Sequence, residues 1–317
     1  MEHAAKVSLV ILNWNRKEML LDCLSKVEEL EYPLYETIVV DNASTDGSVA
    51  AVRKKFPEVA IIENHKNYGA IGGKNIGLRR AMESPVEYIY MLDNDIVGAP
   101  DSLAHLVSVA ESDSNVGLVG AMMYDHSKPD TILSAGGTID FTQNVSRGRG
   151  DNQIDKGQFK KVEPVDYLWG GALLARKSAL QEVGLFDQEY IGYWFEDTDL
   201  SVRVRKGGYK VLFCPDAKVW HKPHATAEQF SYRKKYLAAR NAIRFMQKHA
   251  TPLQWAKYLV FAAGTLPFMY LRDIVLKKNK NGTLGKAKGI WDGIRGNDEA
   301  VDDVLKSNFK QEAAVNH

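Results

Sequence analysis

Three carboxylates fall within four residues of "GYWFEDTDLSVRVRKGGYK": Glu196, Asp197 and Asp199, directly behind Trp194 and Phe195. Acids this close repel one another, and acids beside aromatics lose solvent, so they hold their protons more tightly than in water. A carboxyl tuned upward in this way is suited to accept a proton near neutral pH. The aromatic pair is therefore expected to help keep such a pKa high. Asp199 and Arg203 are spaced i, i+4, which predicts an ion pair within one helix. Acids in a first helical turn are also favoured by the dipole. That accounts for Asp199 but leaves Glu196 and Asp197 in excess, because a helix start needs one acid.

A second acidic group stands in "MLDNDI". Asp93 and Asp95 are spaced i, i+2 at the end of an apolar run, where period-2 alternation points both side chains the same way. Hard divalent cations take one or two carboxylates and keep positions for phosphate oxygens. An ordinary acidic turn has the same pattern. "VVDNASTDGS" ends another apolar run at Asp41, which reads either as an acceptor for a base or sugar or as part of a turn. In the turn reading, Asp46 or Ser48 caps the next helix. "NYGAIGGKNIG" fits neither GxGxxG nor the P-loop pattern, although a glycine-rich helix start still admits a phosphate to backbone N–H groups. His221 in "VWHK" is expected after a strand and a turn, whereas His65, His224 and His249 carry no argument.

The elements that must position these residues alternate. "VSLVIL" is an apolar, β-branched run, as in a strand buried on both faces, and is too short and too soon followed by Asn13 for a signal peptide. "KEMLLDCLSKVEEL" has helical spacing. "YETIVVD", "VAIIEN" and "VEYIYMLDND" read as further strands, separated by the helical segments "VAAVRKKF" and "GGKNIGLRRAME". Such alternation predicts βαβ units, an α/β fold and a mostly parallel, Rossmann-like sheet flanked by helices. Ligands in such sheets bind beyond the carboxyl ends of the strands. Asn13, Asp41, Asn64 and Asp93 to Asp95 all stand there. "SAGGTIDFTQNVSRGRGDNQIDKGQ" predicts loop and short hairpin. "VDYLWGGALLARKSALQEVGLFD" predicts strand, turn and helix. Gly207 and Gly208 end the acidic helix, and "KVLFCP" is one more strand.

Composition fits this reading. The chain has 317 residues, 45% apolar and 26% charged, so it has material for a core. A net charge of +1 gives no general case for nucleic-acid binding. Its two cysteines, Cys23 and Cys214, form no CxxC and fit a reducing, cytoplasmic setting.

The ordered set "VILNWNR", "VVDNASTDGS", "NYGAIGGKNIG", "LDND", "WGGALLARKSALQEVGLFDQEY", "WFEDTDLSVRVRKGGYKV" and "VWH" resembles family-2 glycosyltransferases of the GT-A fold. Within that family it is most similar to the bacterial branch that includes rhamnosyltransferases. The resemblance runs from Val7 to about Asn241. It implies an inverting transfer from a nucleotide-diphosphate sugar, either dTDP-rhamnose or a UDP-sugar, to a glycan or lipid-linked acceptor, as in cell-envelope polysaccharide synthesis. It further implies that Leu12, Asn13 and Trp14 border the base and that Asp41 hydrogen-bonds to it. Asn67, Gly73 and Asn75 then line the nucleotide site. Asp93 faces ribose and metal, and Asp95 ligates Mg²⁺ or Mn²⁺ with His221 as a further ligand. Asp197 is the general base, Glu196 helps to position the site, and Trp169, Gly170 and Gly171 flank the donor sugar or acceptor. Two other classes stay open. A sugar-phosphate nucleotidyltransferase needs a Gly-rich basic loop after its first strand, and "LNWNRKE" has no glycine. A non-catalytic nucleotide-sugar-binding module predicts a damaged base or metal pair, and both are intact.

These residues place a catalytic domain at 1–245 and a helical extension at 246–317, with a loosely ordered end from Asn297. From Tyr258 to Leu271 there are 14 uncharged residues between Lys257 and Arg272, fewer than the roughly 17–25 that span a bilayer. Arg233, Lys234, Lys235, Arg240 and Arg244 precede this run. Lys277, Lys278 and Lys280 follow it, and Trp255 and Tyr270 stand near its ends. The pattern suits a helical pair lying on the cytoplasmic face of a membrane through 253–280. It equally suits a helix packed on the catalytic domain or on a second copy in a homodimer.

Overall fold

A computed structural model describes residues 4–141, 145–192, 194–222, 232–275 and 280–296. The chain divides into two compact units. The first holds 1–139, 147–187 and 196–224, and the second holds 140–146, 188–195 and 225–317.

In the first unit, β1 (Val7–Asn13), α1 (Lys17–Val27), β2 (Tyr35–Asp41), α2 (Ser48–Lys55), β3 (Ala60–Glu63), α3 (Gly69–Glu83) and β4 (Tyr88–Asp93) form the alternating series that the apolar runs predict. Their strands pair in parallel in the order β3-β2-β1-β4. The strand order reverses at β1, the place at which open α/β sheets bind ligands beyond the strand ends.

β5 (Ile96–Gly98), α4 (Ser102–Glu111), β6 (Val116–Asp125) and β7 (Lys128–Ser134) follow. The Gly-rich tract then forms β8 (Gly137–Ile139), β9 (Ser146–Gly148) and β10 (Gln153–Ile154), with β8 and β9 as a separate two-stranded sheet. After β11 (Glu163–Pro164) come β12 (Ala172–Arg176), α5 (Lys177–Val183), α6 (Glu196–Lys206) and β13 (Lys210–His221). β12 runs antiparallel between β4 and β6, while β13 is parallel to β6.

β1 is apolar on both faces, so helices cover both. Val7, Leu9 and Ile11 share one core with Leu20 and Leu24 of α1 and Leu103 and Leu106 of α4. On the other face, a Cβ added to Gly77 of α3 would lie 2.4 Å from Val10 and 2.8 Å from Val40. Glycine there is what lets α3 lie against the sheet. Cys23 and Cys214 are buried free thiols.

β13 corrects one expectation. The strand does not stop at "KVLFCP" but resumes after a register shift between Cys214 and Lys218, which accommodates Pro215. His221 is therefore the last residue of a strand rather than a residue that follows a strand and a turn. It pairs with Ile96 of β5.

The second unit contains α7 (Tyr232–His249), α8 (Pro252–Val275) and α9 (Lys280–Arg295); α7 runs through position 245. α9 lies against α7 through glycines. A Cβ on Gly285 would stand 2.2 Å from the Tyr232 carbonyl oxygen, and one on Gly289 would stand 2.2 Å from that of Tyr236. Backbone cannot yield as a side chain can. Gly289→Val is thus expected to lower stability by about 1–3 kcal/mol, read as a lower thermal midpoint with Gly264→Ala, which meets open space, as the control.

Within the same unit, Arg240 Nη1 donates to the Glu189 carbonyl at 2.9 Å, and Asn241 Nδ2 donates to those of Ile191 and Trp194 at 3.2 and 3.1 Å. Trp194 and Phe195 both take left-handed backbone, φ 71° and 75°, a costly conformation for bulky residues. The Phe195 ring lies 5.3 Å from that of Phe245. His224, Lys277, Lys278 and the tail from Asn297 lie outside the described residues.

Candidate active site

Parallel pairing brings the strand ends together. Asn13 stands opposite Asp41, and Leu12 opposite Asp93. Asn13 Nδ2 donates to Asp41 Oδ1 at 3.2 Å and to Ser44 Oγ at 3.3 Å, while its Oδ1 accepts from Asn94 Nδ2 at 2.9 Å. The other Asp41 oxygen accepts the Ser44 N–H at 2.8 Å. Asn13 and Asp41 are buried, at 0% and 3% exposure. A buried polar pair with every partner placed is a rigid edge against which a flat ligand can be oriented. Trp14 is half-buried beside it.

Asn42 organises the neighbouring loop. Its Nδ2 donates to Asn67 Oδ1 at 2.7 Å and to the Gly69 carbonyl at 3.1 Å, and its Oδ1 accepts from Asn64 Nδ2 and the Tyr68 N–H, both at 3.0 Å. Asn67 Oδ1 also accepts the Gly69 N–H at 2.7 Å. Two residues expected to line the nucleotide site are committed elsewhere. A Cβ on Gly73 would come within 2.4 Å of Leu12, so Gly73 provides close helix-to-sheet packing. Asn75 is 2% exposed. Its amide donates to the Phe186 carbonyl at 2.8 Å and accepts the Phe186 N–H at 3.1 Å. Both polar ends are used in tying α3 to the segment after α5.

The acid pair of "LDND" separates. β4 ends at Asp93 and Asp95 lies in a turn, so the period-2 argument for a shared direction stops at Asp93. Asp93 Oδ1 meets Lys74 Nζ at 2.6 Å, whereas Asp95 Oδ2 faces His221 Nε2 at 3.5 Å. Among the described residues no three His, Cys, Asp or Glu side chains gather around one ion position. Asp95 and His221 face each other as a carboxylate and an imidazole, 17% and 30% exposed. That fits a cation that fills its other positions with water and substrate phosphate.

Lys74 escapes a reading by motif, because "GGKN" matches no P-loop. The available signal was a lysine on the helix that faces the ends of β1 and β2. Burial works against its ammonium, but the charge and hydrogen bond of Asp93 more than offset this, aided by Glu196 and Asp197, and it stays protonated.

Asp197 sits in the first turn of α6. Its Oδ2 accepts the Gly170 N–H at 3.1 Å and its Oδ1 the Thr198 N–H at 2.6 Å. Ser201 Oγ donates to the Asp197 carbonyl at 2.8 Å and accepts the Leu168 N–H at 3.3 Å, which pins the loop before β12 to the helix. A Cβ on Gly170 would lie 3.4 Å from Asp197 Cβ. Gly171 gives its carbonyl to the Asp93 N–H at 2.8 Å, and a Cβ there would crowd Asp93 Oδ2 at 3.1 Å. These two glycines thus connect the base candidate to the end of β4. Trp169, just before them, is 39% exposed.

Burial raises the Asp197 carboxyl above its usual range, opposed by the Gly170 and Thr198 donors and by Lys74. Glu196 is pushed up to about 8, first by burial and then by the charge of Asp197. Its Oε2 is buried with no hydrogen-bond partner among the described residues. The Gly170 and Thr198 donors favour the ionised form of Asp197 against that burial, and the charge of Asp197 favours the protonated form of Glu196. Asp199 follows the i, i+4 expectation, with its Oδ2 2.7 Å from Arg203 Nε and no exposure. Arg203 also donates to the Val183 and Leu185 carbonyls at 2.7 Å each, closing the end of α5.

A cavity of about 550 Å³ opens elsewhere in the first unit, at the start of β13, away from His221 at its end. Its charged walls are already paired, Arg149 with Glu163 and Arg205 with Asp166.

Comparison with known proteins decides the family. Residues 8–184, more than half of the chain, match Glycosyl transferase family 2. The chain belongs to that family. The transferase is 27% identical over 250 residues to N-acetylglucosaminyl-diphospho-decaprenol L-rhamnosyltransferase of Mycobacterium tuberculosis, covering 69% of this chain and 78% of the relative. Its fold is the GT-A fold of glycosyltransferases. S. aureus TarS 1-349 in complex with UDP-GlcNAc superposes with a TM-score of 0.60 at 16% identity, over 94% of this chain and 83% of that one. The mannosyltransferase PcManGT from Pyrobaculum calidifontis, in complex with GDP-Man and Mn²⁺, gives 0.57 at 16% identity, over 93% and 88%. In this glycosyltransferase Asp41 and Asp93 stand at the ends of β2 and β4, and Asp95 lies in the turn that follows β4.

Proposed function

We propose that this glycosyltransferase transfers a sugar with inversion from a nucleoside diphosphate, dTDP-rhamnose or a UDP-sugar, to a hydroxyl of a glycan or lipid-linked acceptor. The observation that carries it is Asp197, a buried carboxyl oriented by two backbone N–H donors beside the end of β4. In a single displacement the acceptor oxygen attacks the anomeric carbon, its proton passes to Asp197, and the bond to the diphosphate breaks. Asp41 and Asn13 orient the base, and Trp14 and Leu12 flank it. Glu196, beside Asp197 in the first turn of α6, helps to position the site. The rhamnosyltransferase relative supports a deoxyhexose donor and a polyprenyl-linked acceptor.

Asp95 and His221 are the residues that would hold Mg²⁺ or Mn²⁺. A divalent ion bound there neutralises charge on the leaving diphosphate. Asp93 is held by Lys74, and that ammonium adds a fixed positive charge beside the same site. Asp95→Ala is expected to weaken Mn²⁺ binding, measured by calorimetry with UDP or dTDP present, by more than the roughly 10–100-fold that loss of an outer partner costs. Unchanged affinity removes Asp95 from the ligand set. Screening nucleotide sugars with Mn²⁺ for thermal stabilisation, then for turnover, tests the donor. Stabilisation by GDP-sugars alone would overturn the assignment.

A further inference from the structure

α8 exposes apolar side chains along one side. Leu253, Val260, Phe268, Leu271 and Val275 are 60–74% exposed, and their spacing of three, four, seven and eight keeps them on one helical stripe. No charge interrupts this helix from Tyr258 to Leu271. Its opposite side is seated in the protein, since Tyr258 is 5% exposed. α9 adds Trp291, 52% exposed, with the Arg295 guanidinium 4.0 Å from its ring centroid. A surface helix normally places charge on its open side, so this stripe is built to be covered.

Charge says by what. Residues 232–296 carry fourteen lysines and arginines against two acids, in a chain whose net charge is only +1. The rest of the protein is therefore acidic overall. Lys286 lies close enough to Lys235 that their repulsion adds to burial in lowering its pKa. A second copy of this segment would bring the same positive charge to the contact. An anionic lipid surface supplies both an apolar layer for the stripe and phosphates for the cations.

We propose that the α8 stripe, with Trp291 of α9, docks this protein on an anionic phospholipid bilayer, lying in its interface. Among the described residues no helix is long and apolar enough to cross a membrane, which agrees with docking rather than spanning. The inference does not depend on the catalytic assignment, because its readout is partition rather than turnover.

The full chain is mixed with vesicles of phosphatidylcholine alone, or with about 30 mol % phosphatidylglycerol, and sedimented. Binding is expected to the anionic vesicles, to weaken as salt is raised, and to fall by at least about tenfold in Phe268→Glu/Leu271→Glu. Turnover on a water-soluble acceptor should stay within about twofold, showing that the variant is folded. Equal binding of wild type and variant, or equal binding to both vesicle types, overturns the proposal. So does absence of vesicle binding together with a lipid-free dimer that the same substitutions dissociate, which assigns the stripe to a second copy.

Discussion

Asp197→Asn lowers kcat by about 10²–10⁴-fold, the usual worth of a positioned base, while nucleotide-sugar affinity stays within about twofold. Asparagine keeps the size of the side chain and one acceptor oxygen, enough for one of the two N–H donors, Gly170 or Thr198, while the Ser201 bonds to the Asp197 carbonyl and the Leu168 N–H still hold the loop before β12. What it loses is the capacity to accept a proton. Single-turnover rates and donor titrations measured together make the test. Transfer at a near wild-type rate with unchanged donor binding would remove Asp197 from the role of base.

The adjacent acid makes the same experiment sensitive to pH. Glu196 is about 8 when folded against an ordinary 4.5. Between those values the native protein holds a proton that the unfolded chain releases. Stability contributed by this group is thus complete below about pH 4.5 and lost as pH rises through about 8. Glu196→Gln removes that dependence, so its advantage over wild type grows from pH 5 to pH 8.5 in thermal unfolding, as an order-of-magnitude window. If Gln and Glu give parallel curves, Glu196 is not buried as a protonated acid.

Lys74→Met carries the second large effect. Removing the ammonium leaves Asp93 without its 2.6 Å partner and takes away a charge that favours ionised Glu196 and Asp197. Breaking a fully buried pair costs roughly 3–5 kcal/mol. Asp93 is about a third exposed, which brings the expected loss to about 2 kcal/mol. The acid limb of the kcat/KM profile should move to higher pH, because Asp197 then ionises with less help. A change in stability with no movement of that limb would make Lys74 a structural residue alone.

The fold of the first half was legible because its signals are local. Five of the six residues in "VSLVIL" are apolar and occupy both faces of a strand, so it cannot sit half in water, and helical stretches between such runs force parallel strands. The ends of those strands then place Asn13, Asp41 and Asp93 together without further information, and i, i+4 spacing assigns Asp199 to Arg203. The decisive features of the site are long-range. The antiparallel insertion of β12 between β4 and β6 brings the Gly170 N–H to Asp197, and no local period encodes a strand's partner or direction. Asn75 reads as a ligand residue until Phe186, 111 positions away, takes both ends of its amide. Asp93 and Asp95 share a face only while the strand continues, and β4 stops between them. Local pattern alone settles which residue types stand at the strand ends. The tertiary structure decided which of them already have partners, because a buried polar group is satisfied by whatever the packed chain brings within reach.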